Sequence, residues 1–200
     1  VLDFLIKNRE IHRVCTSEVI YYGYQKVRLD AEISEKSQRT KKALFQIGTV
    51  SRLAQQKNLP LLIELIQELN LQGYQINCSI MGVGPLQDEL KDFALSHKIQ
   101  ERVEFLGKSK NPLTFMHSLD LFILTSNYEG FGLVLLEAMD VGIPIVASNT
   151  SAIPEVLGES HPGLFELGSL SELVRITKIF LDSPVLRKDV IRCQNERLKQ

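Results

Sequence analysis

Glu129 and Glu137 stand eight positions apart around a glycine pair, in the segment Ser126-Asn127-Tyr128-Glu129-Gly130-Phe131-Gly132-Leu133 and the residues after it. The apolar run Leu121-Phe122-Ile123-Leu124 precedes this segment and reads as a buried strand; a helical apolar pattern follows it. The junction is therefore strand, loop, helix N-terminus. The first turn of such a helix presents N–H groups without intrahelical partners and the positive end of the helix dipole. That combination takes an anion such as phosphate. Gly130, Phe131, Gly132 and Leu133 are the candidates to supply the N–H groups. Upstream, Arg52 and Lys57 share a loop after another strand, with no acidic residue between positions 51 and 58. Arginine grips phosphate with a planar fork of donors, and lysine supplies a point charge. Two cations on one loop and a glycine-rich helix start on another point to a diphosphate held from two sides.

The elements that must position these groups alternate along the chain. Apolar runs at 44–50, 75–81, 103–106, 121–125, 143–147 and 164–167 read as strands. Helical patterns fall at 59–71, 86–97, 112–118 and 133–141, and a tail of two helices at 170–182 and 184–198. Leu62, Leu65, Ile66 and Leu69 recur at the helix period, as do Leu86, Leu90, Phe93 and Ala94. Alternation of β and α elements predicts an α/β, Rossmann-like parallel sheet with helices on both faces. Ligands of such sheets bind outside the C-terminal strand ends. Arg52, Gly82 to Pro85, Gly107 and Glu129 to Gly132 each follow a strand, so one edge should gather them. Residues 1–40 do not complete a βα unit. A strand at Ile11 to Cys15 and a connection at Tyr21-Tyr22-Gly23-Tyr24 are expected there.

Four stretches together resemble a known family. They are Ser51-Arg52-Leu53 followed by Lys57-Asn58, then Gly82-Val83-Gly84-Pro85, Val103-Glu104-Phe105-Leu106-Gly107, and the paired glutamates. In order and spacing they are similar to the C-terminal, donor-binding domain of the family-4 retaining glycosyltransferases of the GT-B fold, over roughly residues 41 to 182. Ser51 and Asn58 depart from it, standing where glycine is common. The resemblance implies a donor-binding domain at 41–182, the end of an N-terminal domain and a linker at 1–40, and a C-terminal helix at 183–200. It implies transfer of a sugar from a nucleotide-diphosphate sugar, such as a UDP- or GDP-sugar, with retention. No separate cofactor is implied. Glu129 is assigned to the donor sugar and the reaction, Glu137 to the ribose, and Glu104, Phe105 and Leu106 to the base edge. The glycan or lipid-linked acceptor would be held mainly by the N-terminal domain. Each assignment has a structural counterpart. Glu129 can complement a helix dipole, Glu137 can pair with a backbone N–H, and Arg52 and Lys57 can be surface charges. Gly82 and Gly84 either border the sugar or make a tight turn.

Composition narrows the alternatives. A net charge of -1 supplies no global attraction to nucleic acid or anionic membrane. The basic run Arg39-Thr40-Lys41-Lys42 is short and reads as a solvated lead-in. Three dispersed cysteines lack metal or disulfide spacing and suit a reducing compartment, with Cys78 as a core residue. No Asp-x-Asp metal motif occupies a suitable loop, so no metal is expected at the diphosphate. No signal peptide or membrane span is read, which favours a cytoplasmic setting with peripheral membrane association open to a longer parent. A dinucleotide oxidoreductase would need a third glycine at position 87, where Gln87 stands. A non-catalytic nucleotide-sugar binding module shares every binding feature and differs only in turnover.

Overall fold

The computed structural model describes residues 44–199. The expected strand at Ile11 to Cys15, the connection at Tyr21 to Tyr24 and the boundary at residue 40 lie outside the described residues. Six strands form one sheet: β1 (Phe45–Val50), β2 (Ile76–Met81), β3 (Val103–Gly107), β4 (Leu121–Leu124), β5 (Ile145–Ser148) and β6 (Leu164–Phe165). All pairings are parallel, in the order β3-β2-β1-β4-β5-β6. The helices are α1 (Leu59–Leu71), α2 (Gln87–Ser96), α3 (Pro112–Ser118), α4 (Leu133–Asp140), α5 (Ile153–Leu157), α6 (Leu170–Asp182) and α7 (Pro184–Arg197). Among the described residues no helix is long and apolar enough to cross a membrane.

Burial on both faces explains why the strands read as continuous apolar runs. Along β4 the side chains alternate between two cores. Leu121 and Ile123 join the cluster built with α1, α2 and α6; Phe122 and Leu124 join the one built with α3, α4 and α5. On α1, Leu62, Leu65, Ile66 and Leu69 are fully buried. Burying each such side chain contributes roughly 1.5–3 kcal/mol, so truncating Leu65 to alanine would cost about 2–5 kcal/mol. The tail helix is tied to the same body. Gln194 Nε2 donates to the Ile143 carbonyl at 3.2 Å, and Arg197 Nε donates to that of Val156 at 2.7 Å.

The strand order places a switch point between β1 and β4. From β1 the chain winds outward through β2 and β3, then crosses back to β4 and winds the other way. The chain leaving β1 leads to α1 on one face of the sheet and the chain leaving β4 to α4 on the other, and ligands of open α/β sheets bind in the crevice outside the C-terminal strand ends at such a point. Asn58 is the hinge of the β1 loop. Its φ of 44° lies in the left-handed region, where asparagine is tolerated far better than most residues. The position where glycine is common thus demands a special backbone conformation, and asparagine meets it.

Candidate active site at the switch point

The floor of the crevice is backbone. Ser51 N donates to the Met81 carbonyl at 2.9 Å, Leu53 N to that of Val83 at 3.1 Å, and Gly82 N to that of Gly107 at 2.8 Å. These bonds carry the sheet pairing past the strand ends and bring three loops into contact. Gly82 and Gly84 are what permits it. A Cβ on Gly82 would lie 1.8 Å from the Ser51 carbonyl oxygen, and one on Gly84 2.2 Å from that of Leu53. Gly82 also has a φ of 141°, which side-chain-bearing residues rarely adopt. The glycines therefore close a tight βα turn, and Gly82 borders the crevice as well.

Above this floor lies a cleft of about 600 Å³ whose walls include Arg52, Gly82, Lys108, Ser109, Val134 and Glu137. Arg52 is exposed on the β1 loop. Glu137 projects from the second turn of α4 and is half-buried; burial raises its pKa above the ordinary carboxylate range. Gly132 caps α4 with a left-handed φ of 79°, turning the chain so that the helix begins at the cleft wall. Gly130 is exposed and open, Phe131 is half-buried, and Leu133 is 53% exposed. Chemically, the cleft combines two cations, the N-terminal end of a helix and a carboxylate one turn further in. These are the groups that an anion carrying hydroxyl groups nearby would require.

Lys57 and Glu129 form a second cluster, on the loops leaving β1 and β4. They are 72 residues apart in sequence, and Lys57 Nζ lies 2.6 Å from Glu129 Oε1. The pair is largely shielded, with 15% and 7% of the two side chains exposed. Ser126 Oγ, fully buried, donates to the same Oε1 at 2.6 Å. Backbone stitching holds the two loops in register. Thr125 Oγ1 donates to the Lys57 carbonyl at 2.9 Å, Asn127 N to that of Gln56 at 2.8 Å, and Gln56 Nε2 to that of Tyr128 at 2.9 Å. From the sequence, Lys57 stood without an acidic neighbour; folding supplies one.

Not every expected residue reaches the cleft. Glu104 is exposed on β3, accepts from Ser79 Oγ at 3.4 Å and does not line it. Phe105 packs against the larger core, and Leu106 is 39% exposed. β3 instead delivers Lys108 and Ser109, just past Gly107, whose φ of 69° turns the chain at the strand end. Sequence reasoning passed over Lys108, although a cation directly after a strand-ending glycine was a usable signal. His161 is buried far along the chain from these loops, and burial lowers its pKa to about 4. Among the described residues no group of three or more His, Cys, Asp or Glu could hold a metal ion.

The chain is similar to several known proteins. Amylovoran biosynthesis glycosyltransferase AmsK of Erwinia amylovora is 32% identical over 127 residues, covering 60% of this chain and 31% of that protein. N-acetyl-alpha-D-glucosaminyl L-malate synthase of Bacillus anthracis is 39% identical over 90 residues, covering 44% of this chain and 24% of that protein. The chain thus spans less than a third of the length of these curated relatives. HepE of Anabaena, solved in complex with UDP, superposes with a TM-score of 0.71 at 26% identity over 78% of this chain and 44% of that one. The same protein has been solved with UDP-glucose. Finally, the sequence profile described as glycosyl transferases, group 1, matches residues 30–195. With that span, and with a glycine-floored cleft at the switch point, the chain belongs to the group 1 glycosyl transferases.

Proposed function

We propose that this chain is the donor-binding part of a glycosyltransferase that takes its sugar from a nucleoside-diphosphate sugar. The observation that carries the reading is the convergence of Arg52, the start of α4 and Glu137 on one cleft at the switch point. In this reading the diphosphate lies against the first turn of α4. Arg52 and Lys108 neutralise it from across the cleft, and Lys57, with two of its three N–H donors uncommitted by the bond to Glu129, reaches it from the side. The ribose hydroxyls bond the Glu137 carboxylate, whose two oxygens match two hydroxyl groups. A half-buried carboxylate that accepts no hydrogen bond among the described residues is disfavoured, so a ligand that supplies donors relieves its desolvation. The base lies toward Lys108 and Ser109, where backbone groups read its edge.

Glu129 meets the donor sugar. Fixed charges around the diphosphate stabilise the leaving group as the glycosidic bond breaks, and a carboxylate near the anomeric carbon stabilises developing positive charge. Family membership supports retention of configuration. HepE is solved with UDP and with UDP-glucose, which supports a nucleotide-sugar donor here. The acceptor is assigned to the rest of a longer parent protein, since its relatives are about three times the length matched. Titration calorimetry with UDP, GDP and ADP, each with and without EDTA, tests the reading. Binding of at least one nucleotide, unchanged by EDTA and weakened about tenfold to a hundredfold by Arg52→Ala, is expected from the loss of one charge-assisted contact. No binding of any, or binding abolished by EDTA, overturns it.

A further inference from the structure

We infer that Ser126 is a positioning residue that commits one oxygen of Glu129 to the protein and leaves the other, Oε2, as the single acceptor for the donor sugar. The inference rests on the proposed reading of Glu129. Two donors converge on Oε1: Lys57 Nζ at 2.6 Å and Ser126 Oγ at 2.6 Å. Both are short, charge-assisted bonds. Oε2 makes no hydrogen bond among the described residues, yet it is not shut away from solvent. Ser126 is itself fixed. It has no exposed surface, and Ser148, the last residue of β5, donates its Oγ to the Ser126 carbonyl at 2.6 Å. A path of buried hydroxyls thus runs from the sheet through Ser126 to the carboxylate.

The arrangement has a specific chemical consequence. Lysine Nζ and serine Oγ–H both donate here, so a glutamine at position 129 would place its carbonyl oxygen on the Oε1 side. Its NH₂ would then face the ligand. Glu129→Gln exchanges a charged acceptor for a neutral donor at the Oε2 position while preserving the protein-facing bond. Ser126→Ala does the converse. It leaves the charge and frees the carboxylate to turn about Lys57 alone, so the acceptor is present but no longer held.

The test is a cycle on ligand discrimination in this chain. The probes are the matched pairs UDP and UDP-glucose, GDP and GDP-mannose, ADP and ADP-glucose, using whichever pair binds. The readout is the ratio of the two Kd values within a pair, which a general loss of stability does not move. Glu129→Gln should lower the relative affinity for the sugar-bearing member about fivefold to tenfold. Ser126→Ala should lower it about threefold or more, with nucleotide affinity within twofold of wild type. Ser126→Ala added to Glu129→Gln should change the ratio less than it does alone, because the charged acceptor that Ser126 holds in place is already gone. Ser126→Cys, nearly isosteric with a weaker donor, should fall between. A Ser126→Ala ratio equal to wild type while Glu129→Gln shifts it overturns the role of Ser126 alone. So does an equal Ser126→Ala effect in both backgrounds. A ratio unmoved by Glu129→Gln overturns the reading of Glu129 and the inference with it, and failure of every pair to bind overturns both.

Discussion

Removing Lys57 should destabilise the fold more than removing the charge of Glu129, and the two losses should not add. Glu129 has only 7% of its side chain exposed, and Lys57, at 2.6 Å, is its one cationic partner among the described residues. Breaking a buried pair from one side typically costs about 3–5 kcal/mol, because a charge is left behind without compensation. Ser126 still donates to the carboxylate, so Lys57→Met belongs near the lower figure, about 3 kcal/mol. Glu129→Gln keeps an acceptor for both donors, and Lys57 can reach water more easily; about 1–1.5 kcal/mol is expected there. In the double variant the amide is satisfied by Ser126 and no lone charge remains. Its cost should be about 1.5–2.5 kcal/mol, well short of the additive figure of about 4 kcal/mol, which leaves a coupling of about 2 kcal/mol. For a chain of this size 1 kcal/mol moves Tm by about 2–4 °C, so Lys57→Met should melt roughly 6–12 °C below wild type. Urea denaturation of the four proteins, fitted with a common slope, measures the coupling. Additivity within about 0.5 kcal/mol would show that the pair is not energetically joined and would refute the reasoning.

Glu137→Gln should raise Tm at pH 7 while weakening nucleotide binding. Burial raises the Glu137 pKa, so the carboxylate favours folding below its unfolded value and costs stability as pH rises through the raised one. The gain in Tm should disappear in thermal scans below about pH 4, where both states are protonated. His161 works in the opposite sense. Its pKa falls from 6.5 to about 4, so stability is lost as pH drops between those values, by about 3 kcal/mol in all. Denaturation at a series of pH values should show this slope, and His161→Asn should flatten it. Gly84→Ala should cost about 1–3 kcal/mol and impair nucleotide binding together, since its Cβ would lie 2.2 Å from the Leu53 carbonyl oxygen and push the two loops apart. A Gly84→Ala chain with wild-type Tm and affinity would remove the argument for the glycine floor.

The alternating elements were legible because buried strands and amphipathic helices carry local periodic signals. Strand β5 is the instructive exception. The apolar run begins at Ile143, but Pro144 has no N–H to donate and serves the sheet only through its carbonyl, which accepts from Phe122 N at 3.0 Å. The strand proper starts at Ile145 and runs to Ser148. At the site, Arg52 and Gly82, which each follow a strand, line one cleft as the strand-end rule predicts, and Glu137 joins them from within α4. The Lys57–Glu129 pair was not legible, because nothing local records a contact across 72 residues. The same holds for Ser126 and Ser148, which look like ordinary loop and strand serines until the sheet brings them together. For β3 the expectation fell on the strand itself, at Glu104 to Leu106. From this segment the cleft takes Lys108 and Ser109, just past the strand, whereas β1 and β2 reach it with their last residues, Val50 and Met81.

A crystal structure of this chain with a bound nucleoside diphosphate, UDP first, tests the central claim most directly. The account predicts the diphosphate against the first turn of α4 (Leu133–Asp140), within hydrogen-bonding distance of Arg52, and the ribose hydroxyls on the Glu137 carboxylate. Nucleotide bound elsewhere, such as in the groove between α7 and His161, or a diphosphate turned away from α4 with Glu137 still unpartnered, would contradict it.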